Sequence, residues 1–201
     1  MQANPDFKTE TAWTYEIGAT KKILSDNTLT LSLFYSDISD YQQHNYISAA
    51  PSAIVYNIDM TVWGVETQLS RNFSRKTSGY IGYSYTDWDA ESHPMDTENT
   101  HYFMQALPKH KAFLGLNHKL WEGGLVSLHA KYYSSRLSKR EDRMEPVLIV
   151  DVGAEHTFQL PQDCSFTVRG YVNNVTDQDY QLHYGYDMPG TTAGMSATLN
   201  F

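Results

Sequence analysis

Cysteine is almost missing from this chain: Cys164 is the only one in 201 residues. A single thiol excludes an intrachain disulfide framework and a multi-cysteine zinc site. Long apolar runs are missing too. No stretch approaches the ~18 consecutive apolar residues of a membrane-spanning helix, and the mean hydropathy of -0.50 agrees. Strands that cross a bilayer as a barrel alternate polar and apolar residues, so this absence leaves them open. Positive charge is scarce: 15 Lys and Arg stand against 23 Asp and Glu, a formal net charge of -8. Nucleic-acid-binding surfaces are basic, so nucleic acid is excluded as a partner. The opening Met1-Gln2-Ala3-Asn4-Pro5 has neither the basic nor the apolar region of a secretory signal peptide.

Catalytic constellations are lacking as well. Ser, His and Asp are plentiful, but none stands in a Gly-x-Ser-x-Gly elbow. No Gly-rich loop suits a phosphate, and the eight His never form His-Glu-x-x-His or another tight ligand spacing. The expectation is a protein that is not an enzyme, with no assigned cofactor or metal.

What is abundant is aromatic character, 13% with 15 Tyr, and a period of two. Leu29, Leu31, Leu33 and Tyr35 alternate with Thr28, Thr30, Ser32 and Ser36, with Phe34 as an exception. Ala193, Met195, Ala197, Leu199 and Phe201 alternate with Thr192, Gly194, Ser196, Thr198 and Asn200. Such alternation marks strands with one apolar face. The pattern predicts an all-β fold of about nine strands: 12–21, 28–37, 58–70, 79–89, 109–120, 125–134, 147–158, 164–173 and 190–201.

The connections between these strands alternate strictly, running about 6, 20, 8, 19, 4, 12, 5 and 16 residues, where loops in compact domains have ~4–6. In an up-and-down meander all short turns then gather at one end and all long loops at the other. Outer-membrane barrels have this asymmetry, with short periplasmic turns and long extracellular loops. Most of the strands also reach the ~9–11 residues a tilted crossing needs. The apolar face would then meet lipid, and Glu16, Glu66, Lys111, Lys131, Asp151, Glu155 and Arg169 would face inward. A soluble sandwich would reverse that assignment. The expected architecture is an antiparallel transmembrane barrel portion. A soluble all-β binding module, or a small porin-like barrel closing by oligomerisation, is the alternative.

Five segments, in order, resemble the C-terminal part of a TonB-dependent outer-membrane receptor. They are Asn4-Pro5-Asp6-Phe7-Lys8-Thr9-Glu10-Thr11, Trp63-Gly64-Val65-Glu66, Leu107-Pro108-Lys109-His110-Lys111, the Val172–Tyr180 stretch that is similar to the family's Asn-Leu-Phe-Asp-x-x-Tyr element, and Pro189-Gly190-Thr191 leading to Phe201. Phe7, Thr9 and Thr191 depart from the Leu, Pro and Arg usual there. The resemblance implies a 22-stranded barrel around a plug. It also implies energised uptake of a scarce ligand such as a ferric siderophore, haem or cobalamin. The implied partners are outer-membrane lipid, a small-molecule metal chelate, TonB acting through a plug, and the barrel-assembly machinery reading Met195, Ala197, Leu199 and Phe201. Residues 1–201 as a whole correspond to the last nine strands, without plug, TonB box or signal peptide. An odd, unclosed sheet leaves two unpaired edges that lipid cannot satisfy, so the chain alone is not expected to span a membrane. Met1 would be internal to a longer receptor, or the gene truncated.

Ligand-binding candidates fall in the long loops: His44 and Tyr46 in the first, Trp88, His101 and Tyr102 in the second, Arg136, Lys139, Arg140 and Arg143 in the third, His183, Tyr184 and Tyr186 in the fourth. A basic loop on an acidic chain can steer an anionic chelate. Aromatics can stack on catecholates or a porphyrin, and His can ligate haem iron. The same aromatics suit an interfacial girdle, and the basic loop suits lipopolysaccharide phosphates or plain solvation. Asp87, Asp89 and Glu91 offer oxygens to a cation but match no calcium-loop spacing. Asn173, Asn174, Asp177 and Tyr180 suit a turn that fixes the exit from their strand rather than a ligand contact.

Overall fold

The computed structural model describes residues 7–24, 26–45, 54–91, 107–137, 143–183 and 185–201. Nine strands form one antiparallel sheet: β1 (Thr11–Ile23), β2 (Asn27–Asn45), β3 (Ile54–Asn72), β4 (Thr77–Ala90), β5 (His110–Trp121), β6 (Gly124–Tyr133), β9 (Val147–Gln159), β10 (Ser165–Asn173) and β13 (Thr192–Asn200). Two small hairpins sit in the loops: β7 (Arg136–Leu137) with β8 (Arg143–Met144), and β11 (Gln181–His183) with β12 (Tyr186–Asp187). The sheet order follows the chain, β1-β2-β3-β4-β5-β6-β9-β10-β13, with β1 and β13 at its two edges.

The expected loop asymmetry is present. The connections 24–26, 73–76, 122–123 and 160–164 lie at one end, and 46–53, 91–109, 134–146 and 174–191 at the other. One boundary differs. The connection expected at about 20 residues is much shorter, because β2 and β3 run to Asn45 and from Ile54 as 19-residue strands. The register shifts between Ile38 and Tyr41, where Asp40 takes φ 58 and its N–H donates to Asp59 Oδ1 at 2.9 Å. This bulge breaks the two-residue period, and beyond it Asn57 Nδ2 on β3 donates to Asp40 O at 2.6 Å.

Register places the apolar residues in continuous rows. Ile17, Leu33, Val65 and Tyr85 are successive cross-strand partners, as are Leu29, Leu69, Ile81, Leu114, Ala130 and Val150. Most of these residues stay exposed, Ile17 at 71%, Leu33 at 47% and Ile81 at 55%, and Val65, Tyr85, Ala130 and Val150 are half-buried. A sandwich would have covered this face. The few buried apolar side chains, Tyr56, Ile58, Met60, Val147 and Ile149, lie instead on the opposite face toward the long-loop end. The core therefore sits beneath the loops.

Five glycines face a ring on the neighbouring strand. Gly64 pairs with Phe34, Gly82 with Phe113, Gly115 with Tyr80, Gly124 with Trp121 and Gly194 with Tyr171. In each pair a Cβ on the glycine would run into the partner's ring. Phe34, the exception to its strand's alternation, is an inward ring that covers Gly64.

Candidate functional site

The polar face carries its charges in cross-strand register. Glu66, Ser84, Lys111 and Tyr133 form one row, and Gln68, Gly82, Phe113 and Lys131 the next. A recess of about 550 Å³ opens there, lined among others by Glu66, Tyr80, Ser84, Lys111, Phe113 and Lys131. Glu16 accepts a hydrogen bond from Ser32 Oγ at 2.8 Å, and Lys131 Nζ pairs with Asp151 Oδ2 at 3.1 Å. Along these rows the inner face is thus polar and charged where the outer is apolar.

At the long-loop end, Asp151 does a second task. Its Oδ1 accepts the N–H of Asn174 at 2.9 Å. Asn174 takes φ 49 and is buried. Its Oδ1 accepts Gln178 N–H at 3.0 Å, and its Nδ2 donates to Gln178 O at 2.9 Å. Asp177 Oδ1 accepts Thr191 N–H at 2.8 Å, and Thr191 Oγ1 donates to Asn174 O at 2.8 Å. The turn after β10 therefore ties both ends of the 174–191 loop together. Asn174 and Asp177 act on backbone, as their chemistry suggests, whereas Asn173 Nδ2 donates to the Thr192 hydroxyl at 3.4 Å.

Of the ligand candidates, Arg136 is buried. Its Nη2 donates to Gln181 O in the neighbouring loop, and its Nη1 to Ser134 O at 3.5 Å. Burial holds its guanidinium below the ordinary arginine range, although Tyr133 nearby opposes that shift. Arg143 is exposed and donates to Ser135 Oγ at 2.8 Å. Trp88 lies on the inner side of β4, opposite Val62, and Tyr186 is 69% exposed on β12. His44 and His183 occupy backbone positions in β2 and β11. Tyr46, His101, Tyr102, Lys139, Arg140 and Tyr184 lie outside the described residues. Tyr180 flanks the Asn174 turn, where burial first and Asp151 second raise its phenol pKa.

The acidic trio does not gather a cation. Asp87 pairs with Lys109 Nζ at 2.6 Å and accepts Tyr85 OH at 2.8 Å. Among the described residues no three His, Cys, Asp or Glu come together as metal ligands. His118 and His156 face outward near the short turns, bonded to Thr77 Oγ1 at 2.9 Å and Trp121 Nε1 at 2.8 Å. Met195, Ala197 and Leu199 line the outward face of β13 beside Gly170, Val168 and Phe166, and Phe201 is fully exposed. The bracket formed by Lys131, Asp151 and Asn174 was not expected as a unit. Shared strand parity placed the first two on one face, but the third joins them only through register.

The sequence matches the family described as TonB dependent receptor-like, beta-barrel, over residues 1–175. The chain belongs to that family. This TonB-dependent receptor barrel lies in the outer membrane, where barrels of its family reside. No curated protein sequence matches it. Among solved structures, the ferric-catecholate import receptor Fiu from E. coli K12 is similar, with a TM-score of 0.68 and 19% identity over 98% of this chain and 29% of that one. The FrpB iron transporter from Neisseria meningitidis gives 0.73 and 14% identity over 96% and 31%. The pyoverdine receptor FpvA from Pseudomonas aeruginosa PAO1, bound to pyoverdine, gives 0.66 and 17% identity over 97% and 30%. At these identities the likeness is one of fold. The chain spans about three tenths of those receptors.

Proposed function

We propose that this chain is the C-terminal portion of a receptor barrel that imports a scarce metal chelate or related cofactor: a ferric siderophore, haem or cobalamin. The observation that carries this reading is the division of one sheet into an exposed apolar face and a charged face, with every long loop at the same end. The similar structures include a ferric-catecholate import receptor, an iron transporter and a copper transporter, which supports a metal as the cargo. In this reading the plug on which TonB pulls comes from sequence other than these 201 residues. The outward row Met195, Ala197, Leu199 and Phe201 is offered to the barrel-assembly machinery. His44, Tyr46, Trp88, His101, Tyr102, His183, Tyr184 and Tyr186 provide aromatic and imidazole contacts. Lys139, Arg140 and Arg143 provide the charge that draws an anionic chelate toward the mouth.

The test is uptake by cells in which the gene containing this sequence is deleted. Labelled ferric catecholates, ferric hydroxamates, haem and cobalamin are supplied one at a time under limitation. Loss of uptake of one class, restored by the intact gene, is the expected result. Unchanged uptake of all four classes rejects the reading.

A further inference from the structure

Two loops that the chain separates by an entire hairpin are fastened to each other and to the wall. Arg136, on the loop after β6, reaches across to the carbonyl of Gln181 on the loop after β10. It is 5% exposed, and its other terminal nitrogen grips Ser134 O of its own loop at 3.5 Å. That loop is anchored in turn to β5, with Ser134 N–H donating to His110 O at 2.9 Å. The partner loop is anchored through Asn174 N–H to Asp151, whose second oxygen holds Lys131 on the inner wall. Asp177 and Thr191 close the same loop at its base.

We infer that the described segments of these two loops form one body, that Arg136 is the positioning residue joining them, and that the Lys131–Asp151 pair docks this body on the inner wall. This rests on the reading of the loop end as the ligand side, and it deepens that reading. The guanidinium is shielded from solvent, and each of its two terminal nitrogens holds a backbone carbonyl, one in each loop. Its service to the site is geometric. Arg143, exposed on the same small hairpin, keeps its charge outward. Asp151 uses one oxygen on each side, Oδ2 toward Lys131 and Oδ1 toward the first residue of the outer loop, beside the backbone bond from Val175 N–H to Val150 O.

The inference predicts separable failures, readable without any ligand. Spin labels on cysteines at Glu145 and Tyr186 report the distance between the two loops, and labels at Glu122 and Tyr186 report loop against barrel. The measurement uses the natural full-length protein carrying Cys164→Ser, in native outer-membrane vesicles. Both pairs should give one narrow distance distribution. Arg136→Ala should at least double the width of the loop–loop distribution, and Arg136→Lys, which keeps charge but loses the fork, should broaden it less. Asp151→Ala should broaden the loop–barrel distribution while the loop–loop one stays narrow. Heat-modifiable migration verifies that each variant is folded. A broad loop–loop distribution in the parent protein, or one unchanged by Arg136→Ala in a folded barrel, overturns the inference. None of these outcomes depends on uptake, so loss of the transport reading leaves the distances to be judged alone.

Discussion

The ring of Phe113 occupies the space that a side chain on Gly82, its direct cross-strand partner, would need. Neither residue is interchangeable with an ordinary strand residue. The glycine lets the ring lie against the sheet, and the ring shields backbone that a glycine would leave bare.

Gly82→Val should therefore destabilise the barrel by about 1–3 kcal/mol through overpacking. Gly170→Ala, at a glycine with no neighbour in reach of an added Cβ, should be close to neutral. Urea-dependent loss of heat-modifiable migration checks both, and equal midpoints for the two variants would contradict the pairing.

Adjacent residues on β2 should respond in opposite ways to one cation. Leu33, between Ile17 and Val65 on the outward face, should lose about 2–4 kcal/mol when replaced by Arg, if it lies near the bilayer midplane. Ser32→Arg, one residue away, meets Glu16 and Glu66 on the inner face and should cost little. Folding yield into lipid vesicles distinguishes them.

This contrast was legible in the sequence, because the two-residue period needs no tertiary information. The exceptions were less so. Phe34 broke the pattern, and its reason lay on another strand, at Gly64 in the Trp-Gly-Val-Glu segment. The outer part of β2 carries Ser39-Asp40-Tyr41-Gln42-Gln43-His44, offset by the Asp40 bulge, so no alternation announced it. Arg136 read as one cation in a basic cluster. Its burial depends on a loop some 45 residues away, which no local spacing encodes.

Asn174 combines a left-handed backbone with hydrogen bonds to Asp151, Asp177, Gln178, Pro189 and Thr191. Asn174→Ala should cost about 2 kcal/mol from the lost hydrogen bonds. Asn174→Gly loses the same bonds but relieves the φ strain, so it should be the milder variant by about 1 kcal/mol. Hydrogen exchange at Thr191, the far end of the bracket, reads the order of the two.

Tyr180 adds a pH dependence with a definite sign. Burial, then the nearby Asp151 carboxylate, raises its pKa, so the folded loop favours the neutral phenol. Its contribution is fully present below the ordinary phenol pKa of about 10 and fades as the pH climbs through the higher folded value. Protease resistance of the 174–191 loop should hold through neutral pH and fall in strong alkali. Tyr180→Phe should remove that alkaline step, and a variant that keeps it would assign the step elsewhere.

The strict neighbour order of the nine strands has a consequence for how such a wall is made and altered. Every pairing joins a strand to the one before or after it in the sheet sequence, so no strand waits for a distant part of the chain. Assembly can run like a zipper, each hairpin finding its template in the last one laid down, at a small loop-closure cost. The wall is modular in the same sense. Inserting or deleting one hairpin changes the circumference by two strands and leaves every remaining pairing intact, so pore width can change while the chemistry of each surviving strand stays as it was.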